Sequence, residues 1–336
     1  MKSILVGLLM FFGLQCALGV PTKAQAKACV GQQQFCPSCG DPGIGFFNCQ
    51  SEGPFLSTCY VMTPLCPPAA AAAETCPSCA AAAAGKPISL ASGNTFIVEA
   101  DVKIPGLSSG LSLVRTWNSL WPSTQSALQV GLFGPNWRAT FEEKVFIGTD
   151  NYVKYARSDG SFWSFGSNGT SWSVAAPANA SATLVRGQTY WTLTFQNGEQ
   201  RLFDNTTGHL TSIIDRNKNV TQLTYDAVGR LTTVTDPVSR HLYFAYGSPT
   251  SYLVTGVTSD FGVALTYAYD TSGRLLLITN PDSSTLAFQY NAQSLITSVT
   301  DSQGKVIEAH TYDSRGRGLT STRALGVDAV TLTYSN

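Results

Sequence analysis

The 336 residues suffice for about two domains with a substantial core, so the chain does not depend on staples to fold. Charged residues are only 12% of the total, and Lys+Arg 21 balances Asp+Glu 21. That balance speaks against nucleic acid as a partner and against a polybasic hold on an anionic membrane; partners are expected to be read by aromatic and hydroxyl-rich surface.

Residues 1–19, MKSILVGLLMFFGLQCALG, combine Lys2, an apolar run from Ile4 to Leu14 and the small residues Ala17-Leu18-Gly19. This is the pattern of a secretory signal peptide, with Ala24-Gln25-Ala26 as a second possible cut. Lipidation at Cys16 is the rival reading, weakened by Gln15 where a small residue is wanted. Downstream no run approaches the roughly 20 apolar residues of a membrane span, so stable membrane insertion is not expected. The location expected is secreted or extracytoplasmic, in the periplasm or at the cell surface.

Residues 20–68 read as a Cys-rich module and 69–86 as an Ala/Pro/Cys linker. The mature chain keeps Cys29, Cys36, Cys39, Cys49, Cys59, Cys66, Cys76 and Cys79. An even count inside a Gly/Pro-rich stretch poor in aliphatic residues predicts a small disulfide-rich module of undetermined connectivity. The two Cys-Pro-Ser-Cys pairs could instead bind zinc, but 36 residues separate them where ribbon sites use about 15 to 20. Redox chemistry would want a thioredoxin-like strand and helix pattern, which is missing.

From Pro87 the pattern is β. Over 87–202 short β-branched and aromatic segments such as Phe96-Ile97-Val98 and Trp191-Thr192-Leu193 alternate with Gly, Asn, Asp and Pro. Over 203–336 a repeat takes over. Tyr225, Tyr246, Tyr269, Tyr290, Tyr312 and Tyr334 are spaced 21, 23, 21, 22 and 22 apart, about six units. Before each tyrosine apolar residues alternate, as in Leu242, Phe244 and Tyr246, predicting a strand with one buried face. After it comes Asp-x-x-Gly-Arg in three copies, Tyr225-Asp226…Gly229-Arg230, Tyr269-Asp270…Gly273-Arg274 and Tyr312-Asp313…Gly316-Arg317, with Asn291 to Ser294 a worn copy. Asp caps the amides of a type I turn and Gly closes it in the left-handed region, so each unit is expected to be a hairpin whose tyrosine stacks over its neighbours.

Tyr-Asp-x-x-Gly-Arg-Leu-x-x-Val-x-Asp resembles the YD repeats of Rhs proteins and teneurins. The segment Pro87-Ile88-Ser89-Leu90-Ala91-Ser92-Gly93-Asn94 through Leu113-Val114-Arg115-Thr116-Trp117-Asn118-Ser119, with Gly134-Pro135-Asn136-Trp137 and Ser158-Asp159-Gly160, resembles the domain that opens the array in bacterial Rhs proteins. The resemblance implies an all-β fold in which antiparallel hairpins coil into a β-spiral, part of an Rhs-type shell that in the bacterial family encloses a toxin. The long array, the core-associated motif and a variable C-terminal domain are missing from this sequence, which points to a short relative, a fragment or one piece of a shell completed by another chain.

Enzymatic signals are thin, and no catalysis, cofactor or metal is expected. Gly106-Leu107-Ser108-Ser109-Gly110 fits G-x-S-x-G, but Pro105 precedes it and the strand-like Leu111-Ser112-Leu113-Val114 follows where a nucleophile elbow needs a helix. His209, His241 and His310 lack a second ligand at metal spacing. Acidic turns lack the calcium-binding Gly-rich pattern. Expected partners are another Rhs-type chain or a second copy through the C-terminal edge; the alternative function is a carbohydrate-binding or adhesion module.

Overall fold

The structure is a computed structural model that describes residues 47–52, 56–61, 83–84, 88–120, 131–148, 150–177, 179–323, 326 and 328–334. The signal peptide and six of the eight mature cysteines lie outside the described residues. Chain contacts divide into two bodies. In the first, Phe47–Glu52 pairs antiparallel with Leu56–Val61, a register that sets Cys49 opposite Cys59.

Among its described residues the second body is β apart from short 3-10 turns such as Leu107–Ser109. After a short pair of Ala83–Ala84 with Ile88–Ser89 comes a three-stranded sheet of Phe96–Ile104, Leu111–Asn118 and Trp137–Ala139. A single antiparallel ladder of nineteen strands follows, from Lys144–Ile147 to Val330–Thr331. The ladder does not break at residue 203, where the repeats begin. It curls back on itself: Lys144 bridges His209, and the Val145 N–H donates to the Gly208 carbonyl at 2.9 Å.

Within the repeats five hairpin units are complete. They are Val220–Tyr225 with Leu231–Thr235, His241–Tyr246 with Val254–Ser259, Ala264–Tyr269 with Leu275–Thr279, Thr285–Tyr290 with Ile296–Asp301, and Val306–Tyr312 with Gly318–Arg323. A sixth begins at Val330–Thr331 and includes Tyr334.

The first strand of each unit alternates as expected, with Leu223, Leu242 and Phe244, or Leu265 and Tyr267 buried. The second strand does not. Its buried residues stand three apart, Leu231 and Val234, Leu275 and Ile278, Ile296 and Val299. The reason is a β-bulge in every unit: Thr224 pairs Thr233 while Tyr225 pairs Leu231, leaving Thr232 extra. The same shift recurs at Tyr246, Tyr269, Tyr290 and Tyr312. A bulge bends its strand and increases local twist, so one bulge per unit makes the sheet coil. The extra threonine hydroxyl is used as well, since Thr232 Oγ1 donates to the Thr224 carbonyl at 3.0 Å.

One core serves the whole body. Ile97, Leu113, Trp117 and Trp137 of the three-stranded sheet join Leu223, Val234, Val257 and Ile278 of the repeats in one buried cluster. The concave side of the coil, which the family resemblance would leave hollow, is filled here by the segment that precedes the repeats.

Candidate functional site

The repeat-defining residues lie along one row of turns. The Asp226 N–H donates to the Arg230 carbonyl at 2.9 Å and the Gly229 N–H to the Asp226 carbonyl at 3.0 Å, with Gly229 at φ 85°. This is a type I turn closed by a left-handed residue. The Asp226 carboxylate accepts the Val228 and Arg230 N–H groups at 3.1 and 2.9 Å and the Arg230 Nε at 2.7 Å. The Arg230 N–H, opposed by some desolvation and helped by the guanidinium, holds Asp226 below the ordinary carboxylate range. Asp270 with Gly273 and Arg274, and Asp313 with Gly316 and Arg317, repeat the arrangement. At the worn copy Asn291 accepts the Gln293 and Leu295 N–H groups, and Ser294 takes φ 62° in place of glycine.

The tyrosines are held by two contacts that sequence reasoning missed. Each hydroxyl donates to a carbonyl at the start of the previous unit's second strand: Tyr246 to Leu231 at 2.7 Å, Tyr269 to Val254 at 2.7 Å, Tyr290 to Leu275 at 2.8 Å and Tyr312 to Ile296 at 2.6 Å. Tyr225 and Tyr334 do the same to Leu210 and Gly318. Over the rings lie guanidinium groups from the preceding unit, Arg230 at 4.6 Å from Tyr246, Arg274 at 5.0 Å from Tyr290 and Arg317 at 4.1 Å from Tyr334. Arginine thus occupies every second turn, and it also grips the next one: Arg230 Nη1 donates to the Ser248 and Ser251 carbonyls at 2.9 and 3.0 Å. For Tyr225 the same place is taken by His209, stacked at 4.9 Å. Burial pushes the Tyr290 hydroxyl up to about 12 and the other row tyrosines upward as well.

The motifs of the opening segment converge. Asn94 Nδ2 donates to Asn118 Oδ1 at 2.7 Å, Asn118 Nδ2 to the Asp159 carbonyl at 3.1 Å, and the Thr95 N–H to Ser119 Oγ at 2.9 Å. Arg115, fully buried, is bidentate on Asp101 and lies 4.7 Å over the Trp137 ring. Burial would lower its pKa, but Asp101 outweighs this and raises it. Tyr267 completes the group from the repeat side, its hydroxyl donating to Asp101 Oδ2 at 2.7 Å.

Between the opening segment and the turn row lies a cavity of about 750 Å³ bordered by Arg138, Glu142, Lys144, His209, Tyr225 and Tyr252. Arg138 and Glu142 pair at 3.4 Å, both nearly fully buried. Burial raises the Glu142 pKa against the pull of Arg138, and lowers that of His209 with help from Lys144. The remaining sequence candidates are placed elsewhere. Ser108 sits in the turn between two strands, its hydroxyl 3.5 Å from the Ile213 carbonyl to which it donates. His241 Nδ1 meets Asp260 at 2.8 Å on the surface, and His310 Nε2 meets Glu308 at 3.4 Å in the interior.

Two family profiles match the sequence: a domain of unknown function (DUF6531) over residues 85–165 and the teneurin YD-shell over residues 191–325. The tRNA nuclease WapA of Bacillus subtilis (strain 168) is 31% identical over 144 residues, which are 42% of this chain and 6% of that protein. The WapA nuclease of Bacillus spizizenii matches equally. Among solved structures, TcdB2-TccC3 without its hypervariable C-terminal region aligns at 12% identity and TM-score 0.30, over 68% of this chain and 15% of that one. The Photorhabdus luminescens Tc holotoxin pore aligns at 13% and 0.29, over 69% and 14%. The chain therefore spans a small part of each protein it resembles.

Proposed function

The chain belongs to the Rhs/YD-repeat family, and on that premise we propose that it is a secreted structural protein, a piece of β-shell wall used in enclosing or delivering a toxin. The observation that carries the reading is the wall itself: bulged hairpins, each tied to the last by a tyrosine hydroxyl and every second one by a guanidinium, share an apolar face over the first four units. In this chain that face covers the segment preceding the repeats, so it is the construction of the wall that supports the shell reading. Its role is structural rather than catalytic; the Ser108 hydroxyl is spent on a backbone carbonyl, which supports that reading. Export rests on residues 1–19.

The partner is another Rhs-type chain, or a second copy, added at the C-terminal edge. There the last described strand pairs with Gly318–Arg323 at Val330 and Thr331, and the Leu332 N–H donates to the Leu319 carbonyl at 2.8 Å. Light scattering on the purified mature chain, alone and mixed with a longer YD-repeat chain, tests this. Co-elution or a concentration-dependent dimer abolished by Leu332→Lys is expected. A monomer that ignores the longer chain and instead binds glycans on an array would replace the scaffold reading with the adhesion one.

A further inference from the structure

Residues 93–108 run across the stacked hairpins, touching them in reverse chain order. The Gly93 carbonyl accepts the Gly318 N–H at 2.8 Å in the fifth unit. Asp101 accepts the Tyr267 hydroxyl in the third. The Pro105 carbonyl accepts Arg240 Nη2 at 3.0 Å at the turn entering the second. Ser108 reaches the Ile213 carbonyl, one hairpin before the first. From the strand holding Gly318 to that holding Ile213 the ladder takes about ten steps of roughly 4.8 Å, or about 48 Å; the crossing segment, about fifteen residues at roughly 3.3 Å, spans about 50 Å.

The lengths match, yet apolar packing alone would not set the register. The wall repeats with every hairpin, so a slip by one unit would present nearly the same apolar face. Polar contacts remove that degeneracy, a use of buried polar groups for register that has precedent. The position two before the repeat tyrosine is Leu223, Phe244, Tyr267, Phe288 and His310 along the array. Only the third unit offers a hydroxyl that meets Asp101, which sits at a bulge between Ala100 and Val102 and is re-aimed by it. At the fifth unit a second mark appears. The place of Leu231 is taken by Gly318, where an added Cβ would stand 2.3 Å from Thr95 Oγ1. The apolar wall there gives way to buried Glu308, His310 and Ser321.

We propose that residues 93–108 are an internal ruler: this segment sets which hairpins form the first turn of the coil, reading one unit by Asp101 against Tyr267 and another by Gly93-Asn94-Thr95 against Gly318. The test compares two insertions of one hairpin in the full chain. A second copy of residues 281–301 placed after Asp301 lengthens the array between the two marks; a second copy of residues 302–323 placed after Arg323 lengthens it beyond them. Hydrogen exchange at residues 93–108 is the readout. The outer insertion should keep native protection, and the inner one should lose at least tenfold protection at one end of the segment. Native protection at both ends in the inner insertion overturns the proposal. Should neither insertion fold, Tyr267→Phe and the pair Tyr267→Phe with Phe288→Tyr decide. Protection around Asp101 should fall at least threefold in the single variant and stay low when the hydroxyl is moved one hairpin on. Full protection in the single variant, or recovery in the pair, would show that no fixed register is read.

Discussion

Two turns that join successive units share one backbone shape but differ in the residue at the left-handed position, and provide a reciprocal test of the turn argument. Asn280 to Ser284 and Asp301 to Lys305 each close with the fourth residue donating to the first carbonyl, at 2.9 and 3.0 Å. Ser283 has φ 66° and Gly304 φ 77°. Ser283 is exposed, and a Cβ on Gly304 would meet no atom within 4 Å, so sterics beyond the residue itself drop out. The left-handed conformation costs an L-residue about 1–2 kcal/mol. Glycine gives back about 0.4–1 kcal/mol through its freer unfolded chain. Ser283→Gly should therefore stabilise by about 0.5–1 kcal/mol and Gly304→Ser should destabilise by the same amount, shifts of roughly 1–4 °C in Tm for a domain of this size. The double variant should melt close to the parent, because the sites share no partner. Calorimetry or urea unfolding reads all three. Two changes of the same sign would refute the assignment of strain to this position.

Gly273→Val adds a β-branched side chain at φ 77° within 3.4 Å of Leu253 and should cost about 1–3 kcal/mol, while Thr271→Val at the exposed tip of the same turn stays within about 0.5 kcal/mol; equal thermal shifts would argue against the turn register. Tyr290→Phe deletes the donor to the Leu275 carbonyl and should lose about 1 kcal/mol in urea unfolding, against no measurable change for the outward-facing Tyr243→Phe. Asp101→Ala strands a fully buried guanidinium and should cost about 3–5 kcal/mol; a loss below about 1 kcal/mol would mean the aromatic rings around Arg115 suffice. Acid should weaken the turn row: the folded pKa values of Asp226, Asp270 and Asp313 are depressed, so the unfolded chain takes up protons first as pH falls. That contribution is complete above the unfolded value of about 3.9 and is lost as pH drops through the folded values. Replacing all three by Asn should flatten the acid limb of a stability–pH curve, and an unchanged limb would count against it.

What could be read from the sequence is what closes locally. Asp226, Gly229 and Arg230 form their hydrogen bonds within five residues, so the turn chemistry was legible and even the worn Asn291 to Ser294 copy keeps it. The alternation before each tyrosine was legible for the same reason, since it needs only one strand. The bulge was present as the Leu-x-x-Val spacing but is meaningful only when two strands are set side by side, because Leu231 and Val234 share a face once Thr232 is squeezed out of register. The tyrosine hydroxyls find acceptors about fifteen residues back, and the arginines find rings about sixteen ahead, distances at which spacing alone names no partner. Asp101 was not legible: a carboxylate within a strand gives no sign that its partner is Tyr267, 166 residues away. Tyr267 departs from Leu223, Phe244 and Phe288 at the equivalent position, but within one strand it reads as one more member of the apolar alternation. In a repeat array the informative residue is the one that departs from its equivalents, because identical units can pack against each other but cannot tell a docking segment where to stop.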